Sequence, residues 1–73
     1  MVKELDIKTP AQVKKISELA SQEPYGVYLT NGAVMLDARS LLGLFTLVGQ
    51  RAYVVADDSA DPTRFGKLVK HMG

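Results

Sequence analysis

Few side chains in this sequence are equipped for chemistry. There is no cysteine, which removes thiolate nucleophiles, zinc–thiolate sites and disulfides from consideration. The single histidine, His71, stands near the end of the chain, and one imidazole gives little scope for a metal site. Asp57, Asp58 and Asp61 gather three carboxylates in five positions, which brings a cation to mind. Acids just ahead of a helix more commonly serve its N-terminal dipole, and no metal is expected. Tyr25, Tyr28 and Tyr53 are the residue type that stacks on bases. Nine basic against eight acidic residues leave a net charge of +1 and no basic stripe, so no nucleic-acid partner is expected. Ser40 is of interest for its place, immediately before the apolar run Leu41 to Val48.

The elements that must position these residues follow from hydrophobic period and turn chemistry. Leu5 and Ile7 alternate with Glu4, Asp6 and Lys8, the period of a half-buried strand. Thr9-Pro10 supplies an N-cap and a proline at the first helical position. Val13, Ile16, Leu19 and Ala20 then recur at helical spacing until Pro24 ends the helix. Tyr25 to Thr30 reads as a strand and Ala33 to Leu36 as its return, with Val34 and Leu36 inward. Between them Asn31-Gly32 is a hairpin signal, because both central residues of that tight turn need positive φ. A second helix runs from Ser40 to near Gly49, followed by a buried strand over Ala52 to Ala56. Asp61-Pro62 repeats the cap-and-proline device and opens a last helix with Phe65, Leu68, Val69 and Met72 on its apolar face. The order βαββαβα predicts a single α+β domain over residues 1–73, an open-faced sandwich of four antiparallel strands with three helices on one face. A chain of this length buries only about 60% of its unfolded surface, so its core is small.

That order, together with Asn31-Gly32-Ala33-Val34-Met35-Leu36-Asp37-Ala38-Arg39-Ser40-Leu41-Leu42-Gly43-Leu44, resembles the HPr family, the histidine-containing phosphocarriers of the bacterial sugar phosphotransferase system. The similarity extends from Leu5 to Met72 and is most specific over Ala38 to Gly43. One departure governs the functional reading. In the family the loop after the first strand ends in Gly-Leu-His-x-Arg-Pro, and its histidine accepts the phosphoryl group. Here only Lys8 and Thr9 separate Ile7 from Pro10, so the acceptor and its arginine are missing. Lys8 and the helix start offer positive charge, but the segment has no nucleophile to replace the histidine. His71, expected to be exposed at the end of the last helix, suits the helix dipole better than phosphoryl transfer.

The resemblance implies two further roles. In a subset of the family the serine matching Ser40 is phosphorylated to regulate partner choice; the plainer role is a side-chain cap for the second helix. The second helix carries more apolar residues than one buried face requires. Leu44, Leu47 and Val48 are expected to face the sheet, leaving Leu41, Leu42 and Phe45 as a neighbouring patch. Those three residues either fill the space of the deleted loop or form a docking face. Family members dock partners on the corresponding surface, and Arg39, with Lys8 and Lys14, is placed to give it a basic rim. The expectation is a cytoplasmic, non-enzymatic HPr-like protein without cofactor. It would bind a protein partner, such as a phosphotransferase-system enzyme or regulator, through Arg39, Leu41, Leu42 and Phe45. The alternative is a phosphocarrier or regulatory component of that system, switched at Ser40 or using an unrecognised acceptor. The longest apolar stretch is well short of the ~20 residues that span a bilayer, so no membrane insertion is expected. The oligomeric state is open.

Overall fold

The computed structural model describes residues 1–73. Its elements are β1 (Val2–Ile7), α1 (Pro10–Ser21), β2 (Val27–Thr30), β3 (Met35–Asp37), α2 (Leu41–Phe45), β4 (Gln50–Ala56) and α3 (Pro62–Met72). The strands form one antiparallel sheet in the order β1-β4-β2-β3, which places β4 and β2 at its centre. Leu5, Ile7, Val27, Leu29, Ala52, Val54 and Ala56 are buried, whereas the intervening Glu4, Asp6, Tyr28, Arg51 and Tyr53 are exposed. The helices therefore cover one face and leave the other open, the α+β sandwich expected from the order of elements.

The two long helices begin as their sequences dictate. Thr9 is extended, and its hydroxyl accepts the Gln12 N–H at 3.2 Å. Asp61 is likewise extended and accepts from the Thr63 N–H at 3.0 Å. Each cap satisfies a donor that has no partner inside the helix. From α1, Val13, Ile16 and Ala20 enter the core; from α3, Phe65, Leu68, Val69 and Met72 do so. Glu23, just after α1, accepts a 2.7 Å hydrogen bond from Arg64 Nε and ties that turn to α3.

Two local expectations are corrected. Asn31-Gly32 does not form a two-residue hairpin turn: only Gly32 has positive φ, at 94°, and Thr30 pairs with Met35 across a four-residue connection. Asn31 instead uses its side-chain oxygen to accept the N–H groups of Ala33 and Val34, a local competitor of ladder pairing. The return strand thus begins at Met35 rather than Ala33, and Val34 is exposed instead of inward. The second helix is also shorter than expected, five residues rather than a run to Gly49.

Candidate functional site

The surface the sequence singles out begins where β3 ends. Ala38 is fully buried and its N–H donates to Val27 O at 2.9 Å, so the chain is anchored to the sheet before it turns. Asp37 Oδ1 then accepts from the Arg39 N–H at 2.9 Å and from Arg39 Nε at 3.2 Å. Asp37 Oδ2 accepts from the guanidinium at 3.0 Å, which completes a bidentate clamp. Hydrogen bonding from the Arg39 side chain, then from its backbone, holds the Asp37 carboxyl below the usual carboxylate range. Arg39 is exposed, but its charge is matched locally, so the rim of the patch is less basic than expected. On the other side Ser17 Oγ donates to Arg39 O at 3.3 Å, which docks the turn against α1. Lys14 lies one helical turn before Ser17 on the same stripe of α1 and is exposed.

Ser40 stands at the N-cap position of α2, yet its side chain caps nothing. Its φ and ψ of −84° and 86° differ from the extended geometry of Thr9 and Asp61, and its hydroxyl makes no cap hydrogen bond. Only its carbonyl takes part, accepting the Leu44 N–H at 3.0 Å. The expected side-chain cap is absent, and Ser40 is exposed.

From Leu41 the backbone completes little more than one α-turn. Thr46, Leu47 and Val48 then donate to the carbonyls three residues back, a tighter winding than the α-helix. Thr46 Oγ1 also donates to Gly43 O at 2.6 Å. Gly49, at φ 88°, reverses the chain, and its N–H donates to Ile7 O at 2.7 Å as β4 starts beside β1. Leu44 and Leu47 are buried at 0% and 1% exposure, whereas Leu42 is 84% exposed and Leu41 36%. Phe45 does not join Leu42 in the open: it is half-buried against the core beside Val48. The exposed patch is therefore Leu41 and Leu42, without Phe45.

The β1–α1 junction is closed by local hydrogen bonds. Gln12 Oε1 accepts from the Lys8 N–H at 2.9 Å, and Gln12 Nε2 donates to Asp6 O at 2.8 Å. Thr9-Pro10-Ala11-Gln12 has the spacing of a capping box, a signal present in the sequence, with Gln12 reaching back to the N–H of Lys8 rather than of Thr9. A depression of about 350 Å³ beside it is lined by Asp6, Ile7, Lys8, Gly49, Gln50 and Arg51. None of these is a phosphoryl acceptor of the imidazole kind. His71 is exposed in the last turn of α3 and does not line this depression.

The other chemistry-bearing residues are dispersed. Asp57 accepts from the Ser59 N–H, Asp58 from the Met1 amine and Asp61 from the Thr63 N–H, so the three carboxylates have separate tasks. No group of three acidic or imidazole side chains converges as a metal site would. Tyr25 packs against the core, and its hydroxyl is buried without a hydrogen-bond partner. That burial, with Glu23 adding to it, raises the phenol above its ordinary pKa. Tyr28 and Tyr53 instead stand exposed on the open sheet face. No helix is long and apolar enough to cross a membrane. No family model matches the chain, and no curated protein does so.

Proposed function

We propose that the chain is an HPr-like protein without phosphocarrier chemistry that binds a protein partner at the start of α2. The observation that carries this reading is Leu42, 84% exposed beside leucines that are almost fully buried. Packing gives no reason for a leucine there, whereas an exposed aliphatic residue flanked by half-exposed Leu41 is the core of a docking patch. Arg39 precedes the patch in the chain, and half-buried Phe45 follows it within the same helix. Arg39 contributes a fixed guanidinium rather than a free positive charge, because Asp37 holds it in place. The partner proposed is a protein of the phosphotransferase system, an enzyme or a regulator.

The second reading rests on Ser40. Its exposed hydroxyl is not spent on capping, which leaves it open to a kinase, and a phosphate there would stand between Arg39 and Leu41. On that reading the same patch is switched by charge.

The test begins with the purified chain, phosphoenolpyruvate and the first enzyme of the phosphotransferase system. The expected outcome is no acid-labile phosphorylation, with the amide signals of Arg39 to Leu42 shifting as that enzyme is titrated in. Stoichiometric phosphohistidine abolished by His71→Ala would contradict the loss of carrier chemistry. Shifts confined to other elements would contradict docking at α2.

A further inference from the structure

The sheet face turned away from the helices carries a pattern that docking at α2 shares only at Arg39 and its partner Asp37. Residues directly opposite across antiparallel strands share a face, so the register sorts the outward side chains into rows. One row runs Val2, Val55, Tyr28, Asp37 and the next Glu4, Tyr53, Thr30, Met35; a third starts with Asp6 and Arg51. Taken diagonally, Val2, Val55, Tyr28, Tyr53, Thr30 and Met35 make a band from one corner of the sheet to the opposite edge. Val2 and Met35 are each 60% exposed, and both tyrosines are exposed. Charge is confined to the two corners beside the band. Arg51 pairs with Asp6 at 3.1 Å and Glu4 at 3.8 Å in one; Asp37 and Arg39 pair at 3.0 Å in the other.

We propose that this face is a self-association surface, on which a second copy of the chain packs its own open sheet about a two-fold axis lying along the band. That axis lays each band on its counterpart and exchanges the charged corners. Arg51 of one copy then faces Asp37 of the second, and Arg39 faces Glu4 and Asp6, so every arginine gains a carboxylate across the contact. The surface is complementary to itself, as a two-fold contact requires. Four strands at ~4.8 Å spacing and six residues at ~3.3 Å rise make a face roughly 20 Å on a side. That is ~400 Å², about half of the ~800 Å² per partner of a standard interface, so the dimer is weak and concentration-dependent.

Two other occupants fit less well. The exposed edge of β1 does not pair with itself: the possible two-fold antiparallel registers oppose Lys3 to Lys3, Glu4 to Glu4, Glu4 to Asp6, or Asp6 to Asp6. A nucleic-acid strand meets three carboxylates and two arginines on this face, the wrong balance for phosphates despite the tyrosines.

Sedimentation equilibrium of the intact chain, from about 10 µM to about 1 mM, reads the association directly. A monomer–dimer equilibrium is expected, weakened at least ~10-fold by Tyr53→Ser and unchanged by Leu42→Lys. Arg51→Glu and Asp37→Arg should each lose the dimer, because like charges then meet at both corners. An equimolar mixture of the two variants should regain it, since each corner of the mixed pair is again complementary. A wild-type chain that stays monomeric throughout, a dimer indifferent to Tyr53→Ser, or a variant mixture of folded chains that stays monomeric would overturn the proposal. None of these outcomes depends on whether α2 docks a partner.

Discussion

The start of α1 and the start of α2 look alike in sequence, a hydroxyl residue before an apolar helix, but the structure uses them differently. At α1 the Thr9 hydroxyl caps Gln12, and Gln12 in turn bonds both Lys8 and Asp6. The Gln12 side chain thereby ties the end of β1 to the helix. At α2 the Ser40 hydroxyl caps nothing, the helix lasts five residues, and its second residue points into the open. The contrast distinguishes a site given over to structure from one whose groups are still available. The α1 junction is thus a closed corner, and the available surface lies at α2.

The largest effects should come from the buried side of α2. Leu44→Ala and Leu47→Ala each empty a fully packed position and should cost ~2–5 kcal/mol in urea unfolding. If either cost falls below ~1 kcal/mol, the division between buried and exposed leucines on which the docking patch rests is wrong.

The caps should give the next largest difference. Thr9→Ala and Asp61→Ala should each cost ~1 kcal/mol, because each leaves a helix N–H without its acceptor. Ser40→Ala should stay within about ±0.5 kcal/mol, since the hydroxyl has no cap bond to lose. A Ser40→Ala cost equal to that of Thr9→Ala would show that the serine does cap α2 in solution.

The seven elements were legible because their signals are local and redundant. Thr9-Pro10 and Asp61-Pro62 combine a cap with a proline, and the apolar residues of α3 recur at helical spacing with nothing to contradict them. The misreadings share a cause in side-chain chemistry that competes with the backbone pattern. Asn31 turned its oxygen onto two following N–H groups and lengthened the β2–β3 connection. The segment after Phe45 kept a helical apolar pattern but had to reach Gly49, where the chain turns back to lie beside Ile7. At the site, the exposure of Leu42 follows from spacing, whereas the bidentate hold of Asp37 on Arg39 depends on the turn after β3 and had no pattern to announce it.

The smallest expected effect concerns that hold. Asp37 has a folded-state pKa below its unfolded value, so its contribution to stability is present above the unfolded pKa and is lost as pH falls through the folded one. Acid unfolding followed by circular dichroism should therefore show a shallower loss of stability below about pH 4 in Asp37→Asn than in the native chain. An unchanged acid slope would mean that the clamp on Arg39 does not persist in solution.

The central claim, that the exposed leucine of α2 serves binding and not folding, is tested most directly by calorimetric titration of the first phosphotransferase enzyme into the native chain and into Leu42→Lys. The two chains should unfold with free energies within about 0.5 kcal/mol of one another, and the variant should bind at least ~10-fold more weakly. Equal affinities from two equally stable chains would contradict it.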